Sequence, residues 1–290
     1  MSERVLTRLA ALLADGPVVL ASVVATRGAT PRKRGARMLV TAQASEFSVG
    51  GGLAEARVLA AARDLLAAGA GPRQLDIALD GGPDAAGVCG GRMRIALRRW
   101  AGADDLARAQ ALAARVGGGH EVRLAPADSG AEVAASIAPD PRLLIVGGGH
   151  CGLALFEAAR ALDFEPWVFD PRADCFADGR YAGARVLHGD YARLADALDT
   201  GRELLAVLLN RDFAADVATL EVLAQKPPAF LGMMGSRRRI RTVLDALPGQ
   251  QDALAHLRAP IGLDLGAETP QEIAVSIVAE LLQWRATRPR

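Results

Sequence analysis

The stretch Arg142-Leu143-Leu144-Ile145-Val146-Gly147-Gly148-Gly149-His150-Cys151-Gly152 decides the fold of the second half of this chain. Four consecutive large apolar residues, 143–146, suit a strand buried on both faces, and the glycines stop it. Gly147, Gly149 and Gly152 have the GxGxxG spacing, and an apolar helical segment follows over 153–162. Between a strand and a helix, that spacing lets backbone N–H groups approach a phosphate at the head of the helix. Asp170 ends the next apolar run, 167–169. It stands about 20 residues past the glycines, where dinucleotide-binding folds place a carboxylate for a ribose hydroxyl. The same glycines would also serve a fold that packs helix on strand and holds no dinucleotide. His150 and Cys151 lie inside the loop, where Cys151 has either a packing role or one as a ligand or sulfur carrier. Cys175 has no recognisable partner.

Working toward the C-terminus, the short apolar runs 186–187, 204–209 and 230–233 alternate with helical segments, the rhythm of a parallel doubly wound sheet. Gly235-Ser236-Arg237-Arg238-Arg239 sets cations at a helix start, where they oppose the helix dipole. An anion bound there would offset that cost, and solvated surface arginines are the alternative. Thr269-Pro270-Gln271-Glu272 has the form of a capping box with proline at the first helical position. The helix it opens carries Ile273, Ile277 and Leu281, with Val275, Val278 and Leu282 beside them. So wide an apolar surface is either buried or shared, which predicts a homodimer.

Working toward the N-terminus, the texture changes. Residues 5–13 have helical periodicity, 18–25 read as a buried strand, and 38–41 with 47–49 as a hairpin. After Gly50-Gly51-Gly52 comes a helix with Val58, Leu59, Ala62, Leu65 and Leu66 inward, then strands over 74–79 and 92–98. Residues 103–116 read as an alanine-rich helix, and 117–141 have the glycine and proline content of a linker. The predicted organisation is α/β: an α+β domain over 1–116, a linker over 117–141, and a Rossmann-like parallel-sheet domain with a C-terminal helix over 142–290. Two further features carry chemistry. Pro31-Arg32-Lys33-Arg34-Gly35-Ala36-Arg37 concentrates cations suited to phosphate, with solvated surface again the alternative. Cys89 sits in a glycine-flanked turn where its thiol could meet a soft metal such as molybdenum, with plain burial as the competing role.

Composition narrows the class. Half of the residues are hydrophobic (51%) and the charges balance to a formal +1, which argues against a nucleic-acid or membrane-surface binder. The longest apolar stretch, 18–25, falls far short of the roughly 20 residues of a membrane span. With no signal-peptide core at the start, a cytoplasmic location is expected. Three scattered cysteines without a CxxC pair give no disulfide framework or zinc cage. No GxSxG, HExxH or Walker motif supports a hydrolase, zinc protease or ATPase.

Taken together, the motifs resemble the xanthine dehydrogenase accessory protein (XdhC/CoxI) family over most of the chain. The resemblance rests on Arg27-Gly28-Ala29-Thr30-Pro31-Arg32 with Gly35-Ala36-Arg37-Met38, on Ser48-Val49-Gly50-Gly51-Gly52 before a helix bearing Glu55, and on Cys89-Gly90-Gly91. It continues through Ile145-Val146-Gly147-Gly148-Gly149-His150 and Gly232-Met233-Met234-Gly235-Ser236-Arg237-Arg238. It closes on Ala259-Pro260-Ile261-Gly262-Leu263-Asp264-Leu265-Gly266-Ala267-Glu268-Thr269-Pro270.

The resemblance implies a chaperone that binds the molybdenum cofactor, as molybdopterin or its dinucleotide form, and protects it during sulfuration by a cysteine desulfurase. Delivery to a xanthine dehydrogenase-type apo-enzyme would follow. It implies cofactor contacts at Arg32, Arg37, Gly51, Gly52, Glu55 and Cys89, with Cys89 reaching molybdenum. In the second half it implies contacts at Gly147, Gly149, His150, Gly152, Asp170, Gly235, Ser236, Arg237 and Arg238. The sequence departs from the family pattern at Leu53, Val88 and Asn210-Arg211, where relatives carry histidine or cysteine, a second cysteine, and a threonine-histidine pair. The competing classes are an NAD(P)-dependent oxidoreductase using GxGxxG and Asp170, and a scaffold without cofactor.

Overall fold

The computed structural model describes residues 2–82 and 85–287. They divide into two compact units, with the boundary between Pro139 and Asp140.

In the first unit the chain runs α1 (Ser2–Leu13), β1 (Val18–Arg27), β2 (Arg37–Val40), β3 (Ser45–Phe47), α2 (Gly52–Ala68), β4 (Arg73–Leu79), β5 (Gly91–Trp100) and α3 (Gly102–Gly117). The strands form an antiparallel sheet in the order β3-β2-β1-β5-β4. Alternation along β1 splits its side chains between two cores. Val19, Ala21 and Val23 pack with Val58, Ala62 and Leu65 of α2, while Val18 and Leu20 pack with Leu6 and Leu9 of α1 and Leu112 of α3. Of the α2 residues expected to point inward, Val58, Ala62 and Leu65 are buried, and Leu59 and Leu66 pack against the same core while partly exposed.

The segment expected as a linker is instead part of this unit. Residues 117–141 contain β6 (Val122–Leu124), α4 (Pro126–Ser129) and β7 (Ala135–Ile137). β6 and β7 pair antiparallel, and Val122, Leu124 and Ile137 are buried against α1 and α3. Only three apolar side chains hold the hairpin in, too few to stand out against glycine- and proline-rich neighbours.

The second unit runs β8 (Arg142–Val146), α5 (His150–Ala159), β9 (Glu165–Phe169), β10 (Arg185–Leu187), α6 (Leu194–Leu198), β11 (Leu204–Leu208) and α7 (Phe213–Gln225). It continues with β12 (Phe230–Met233), α8 (Arg237–Asp245), α9 (Gln251–Leu254), β13 (Leu257–Arg258) and α10 (Pro270–Ala286). All the strand pairs are parallel, in the order β10-β9-β8-β11-β12-β13. Counted within the unit this is 3-2-1-4-5-6, the order of the dinucleotide-binding fold. One face of the sheet packs on α6, α7, α8 and α9 and the other on α5 and α10. At the head of α10, Thr269 accepts from the Glu272 N–H while the Glu272 carboxylate accepts from the Thr269 N–H, so the capping box forms as expected. Ile277 and Leu281 are fully buried, whereas Val275 and Leu282 remain exposed.

Candidate functional site

In a 3-2-1-4-5-6 sheet the chain leaves the first and fourth strands in opposite directions, which opens a crevice at their carboxyl ends. Here those strands are β8 and β11, and a cleft of about 820 Å³ lies over their ends. Gly147, Gly148, Gly149, His150 and Cys151 form one wall. Asp170 and Arg172 after β9, and Asn210 and Arg211 after β11, form others.

The glycines of the motif do different work. At Gly147 the backbone has φ +111° and a Cβ would press on the Leu209 carbonyl carbon at 2.9 Å. At Gly152 a Cβ would collide with the Gly147 carbonyl oxygen, so this glycine lets α5 lie directly on the strand end. Gly152 thus serves packing and does not line the cleft. At Gly149 a Cβ would meet nothing within 4 Å, and this glycine caps α5 where a phosphate would approach. His150 stands exposed beside it on the cleft wall.

Asp170 occupies the expected place but is not open to a ribose hydroxyl. Its Oδ2 accepts from the Gly148 N–H (2.8 Å) and Arg172 Nη2 (2.9 Å), and its Oδ1 accepts from the Arg172 N–H (3.0 Å) and Nε (2.9 Å). Burial pushes this carboxyl up, but the hydrogen bonds from Arg172 and Gly148 outweigh it and hold the group below the ordinary carboxylate range. The bonds to Asp170 in turn raise Arg172, keeping it charged. Burial, followed by the charge on Asp170, pushes the Cys175 thiol up, which favours its protonated form. Arg172 went unrecognised in the sequence, although an arginine two residues past the strand-end acid is itself a readable signal.

The arginine cluster splits. Ser236 caps α8 by accepting from the Arg239 N–H, and Arg237 and Arg238 are exposed. None of Gly235, Ser236, Arg237 or Arg238 lines the cleft, although Met234 just before them does. Arg239 has an internal task. It donates to buried Asp216 through Nε (3.0 Å) and Nη2 (2.5 Å), and to the carbonyls of Asn210, Arg211 and Asp212. The cations at this helix start thus answer in part to internal acceptors rather than to a bound anion.

In the first unit three separate motifs interlock. A Cβ on Gly28 would press on the Gly90 carbonyl oxygen at 2.8 Å, one on Gly91 would collide with the Ala29 carbonyl, and one on Gly50 would meet Pro31 at 2.7 Å. Glu55 fastens the glycine loop from inside α2, its Oε2 accepting from Ser48 Oγ (2.6 Å), the Gly51 N–H (3.1 Å) and the Val49 N–H (3.2 Å). Burial pushes this carboxyl up, and those bonds more than reverse the effect. Gly51 and Gly52 are left-handed, with open space where a Cβ would stand. Arg32 Nε donates to the Ser48 carbonyl (3.4 Å), tying the cationic loop to the glycine loop. Arg37 is buried, which pulls its guanidinium down to about 10, and it lines a separate groove of about 250 Å³ with Ser22 and Arg34. Cys89 is exposed beside this meeting point, so plain burial does not explain it. Leu53 and Val88 are exposed as well, at 55% and 87%.

Comparison with known proteins agrees with this division. Residues 11–77 match the profile of the XdhC and CoxI family, and residues 143–281 match that of the XdhC Rossmann domain. The uncharacterized protein YqeB of Escherichia coli strain K12 is 28% identical over 281 residues, covering 94% of this chain and 44% of YqeB. A probable xanthine dehydrogenase subunit of Bacillus subtilis strain 168 is 28% identical over 150 residues, 51% of this chain and 44% of that protein. The matched regions thus span under half the length of these curated relatives. The crystal structure of a Bacillus halodurans protein described as a xanthine dehydrogenase superposes with a TM-score of 0.84 at 22% identity, covering 100% of this chain and 97% of the other, and shares its fold. Among the described residues, no helix is long and apolar enough to cross a membrane.

Proposed function

Because the chain belongs to the XdhC and CoxI family, we propose that it binds the molybdenum cofactor, shields it, and delivers it to a xanthine dehydrogenase-type hydroxylase. In this reading it is an accessory factor rather than a catalyst. Its partners are the apo-hydroxylase and a cysteine desulfurase.

The observation that carries the reading is the interlocking of the Gly28, Gly50 and Gly91 loops beside an exposed Cys89. Glycine costs conformational entropy on folding, and loops that admit no other residue hold a fixed backbone. A rigid backbone beside an accessible thiol suits a ligand that must be gripped closely and released intact.

The residues present fit such a cofactor. Gly51 and Gly52 leave room above the backbone, Glu55 fixes the loop that carries them, and Arg32 adds a cation suited to phosphate. Arg37 sits in its own groove and supplies charge from within the first unit. Cys89 supplies the soft donor that a molybdenum–sulfur centre prefers. In the second unit Gly149 and His150 offer the head of α5 to a phosphate or pyrophosphate. When bound, the cofactor brings the oxygen- and sulfur-transfer chemistry that the client enzyme uses.

The test is to purify the chain from a host that makes molybdopterin and identify what travels with it. Pterin fluorescence after oxidation and stoichiometric molybdenum are expected. In Cys89→Ser the retained metal should fall several-fold while the melting temperature stays unchanged. Absence of pterin from the wild-type protein, or equal metal in the variant, would overturn the assignment. A second reading, an NAD(P)-dependent oxidoreductase, draws on the strand order and the cleft. Copurified nicotinamide would favour it.

A further inference from the structure

The β9 end of the second unit's cleft has the wrong chemistry for a free ribose diol. In dinucleotide folds a diol is read by a carboxylate with acceptor positions to spare. A carboxylate offers about four such positions, and Asp170 receives four N–H groups, one from Gly148 and three from Arg172. A ribose hydroxyl could enter only by displacing the Gly148 N–H, which would distort the glycine loop, or the guanidinium, which would leave a buried charge unpaired.

Arg172 presents the opposite face of the same arrangement. Its bond to both carboxylate oxygens uses two of its five side-chain N–H groups, and the side chain remains 63% exposed on the cleft wall. The guanidinium is thus fixed in position and has donors left over, the form in which arginine recognises phosphate. Arg180 lines the same cleft, paired with Asp178. Asp174 and Asp212 line it too, so selectivity would come from the fixed placement of Arg172 rather than from net charge.

We propose that this cleft selects a ligand that sets a phosphomonoester against Arg172, in addition to any phosphate on the glycine loop, over one that sets a ribose diol there. The inference concerns the second unit alone and does not depend on molybdenum.

NADP⁺ and NAD⁺ differ by this one group, so calorimetric titration of the full chain with each reads the preference directly. NADP⁺ should bind at least tenfold more tightly. Arg172→Gln should remove most of that difference, by weakening NADP⁺ and by freeing acceptor positions on Asp170 for a ribose diol, and a retained cooperative melt would show that the fold survives. Equal affinities, tighter NAD⁺ binding, or no binding of either at millimolar concentration would overturn the proposal. So would a preference that survives in Arg172→Gln. Two ligands carry the required group: a 2′-phosphorylated dinucleotide and a pterin ending in phosphate. NADP⁺ that displaces copurified pterin, where NAD⁺ does not, assigns the position to the pterin's phosphate. NADP⁺ that binds with pterin retained assigns it to the dinucleotide. Absence of pterin together with a clear NADP⁺ preference would sink the molybdenum reading and leave this inference standing.

Discussion

Gly149 and Gly152 belong to one motif and respond oppositely to a methyl group. At Gly152 the added carbon would collide with the Gly147 carbonyl inside the strand–helix contact, so Gly152→Ala should cost about 1–3 kcal/mol or more in urea denaturation. At Gly149 the carbon would stand in open space with φ at −79°, a conformation that alanine adopts freely. Gly149→Ala should therefore stay within about 0.5 kcal/mol of the wild type while weakening any ligand at the head of α5. Equal stability of the two variants would contradict this division of labour. Both glycines were legible as a motif, but their separate tasks were not, because spacing does not say which one faces the helix and which the cleft. Asp170 shows the same boundary. Its place at the strand end follows from counting residues, whereas its engagement by Arg172 and Gly148 depends on the path of the chain after Pro171.

At the scale of elements, α8 acts through its first turn. Arg239 reaches across to Asp216 in α7 and to three carbonyls of the loop between β11 and α7, the loop that brings Asn210 and Arg211 to the cleft. Asp216 is nearly inaccessible, and burial pushes its carboxyl above the ordinary range despite the bonds from Arg239. Removing the arginine alone strands that acid. Arg239→Met should therefore cost about 3–5 kcal/mol, and the double variant Asp216→Leu with Arg239→Met should recover a good part of it. Chemical denaturation of both variants checks the pairing, and a double variant no more stable than Arg239→Met alone would show that a stranded carboxylate does not underlie the loss. The sequence made α8, α10 and most strands readable, since periodicity and capping are local properties. It could not separate Arg239 from Arg237 and Arg238, because three successive arginines differ only in where the helix points them.

At the scale of the whole molecule, each unit closes its own cores, and among the described residues none of the four buried clusters mixes side chains from both. A fragment spanning 140–290 should therefore fold alone and unfold cooperatively, with its own midpoint in a calorimetric scan. A broad, non-cooperative melt would show that its cores need the first unit. The two-part organisation was visible in the change from antiparallel to alternating patterns. The position of the junction was not, because β6 and β7 carry too few apolar residues to stand out from the turns around them. Fold class thus followed from pattern, while boundary and side-chain pairing required the packed structure.

The late boundary governs how the chain can be cut. No basic residue lies between Arg123, within β6, and Arg142, the first residue of β8. Arg142 is buried, with its guanidinium held by Glu165 at 2.7 Å and by the Ala197 carbonyl at 2.8 Å. Trypsin needs an accessible, unfolded segment and will pass over this junction. Yet the first peptide bond of the second unit joins Asp140 to Pro141, and an aspartyl carboxyl assists hydrolysis of the bond to the following imino nitrogen. Dilute acid, rather than trypsin, therefore releases the first unit at its seam, while a second such bond, Asp170–Pro171, is cut inside the second unit.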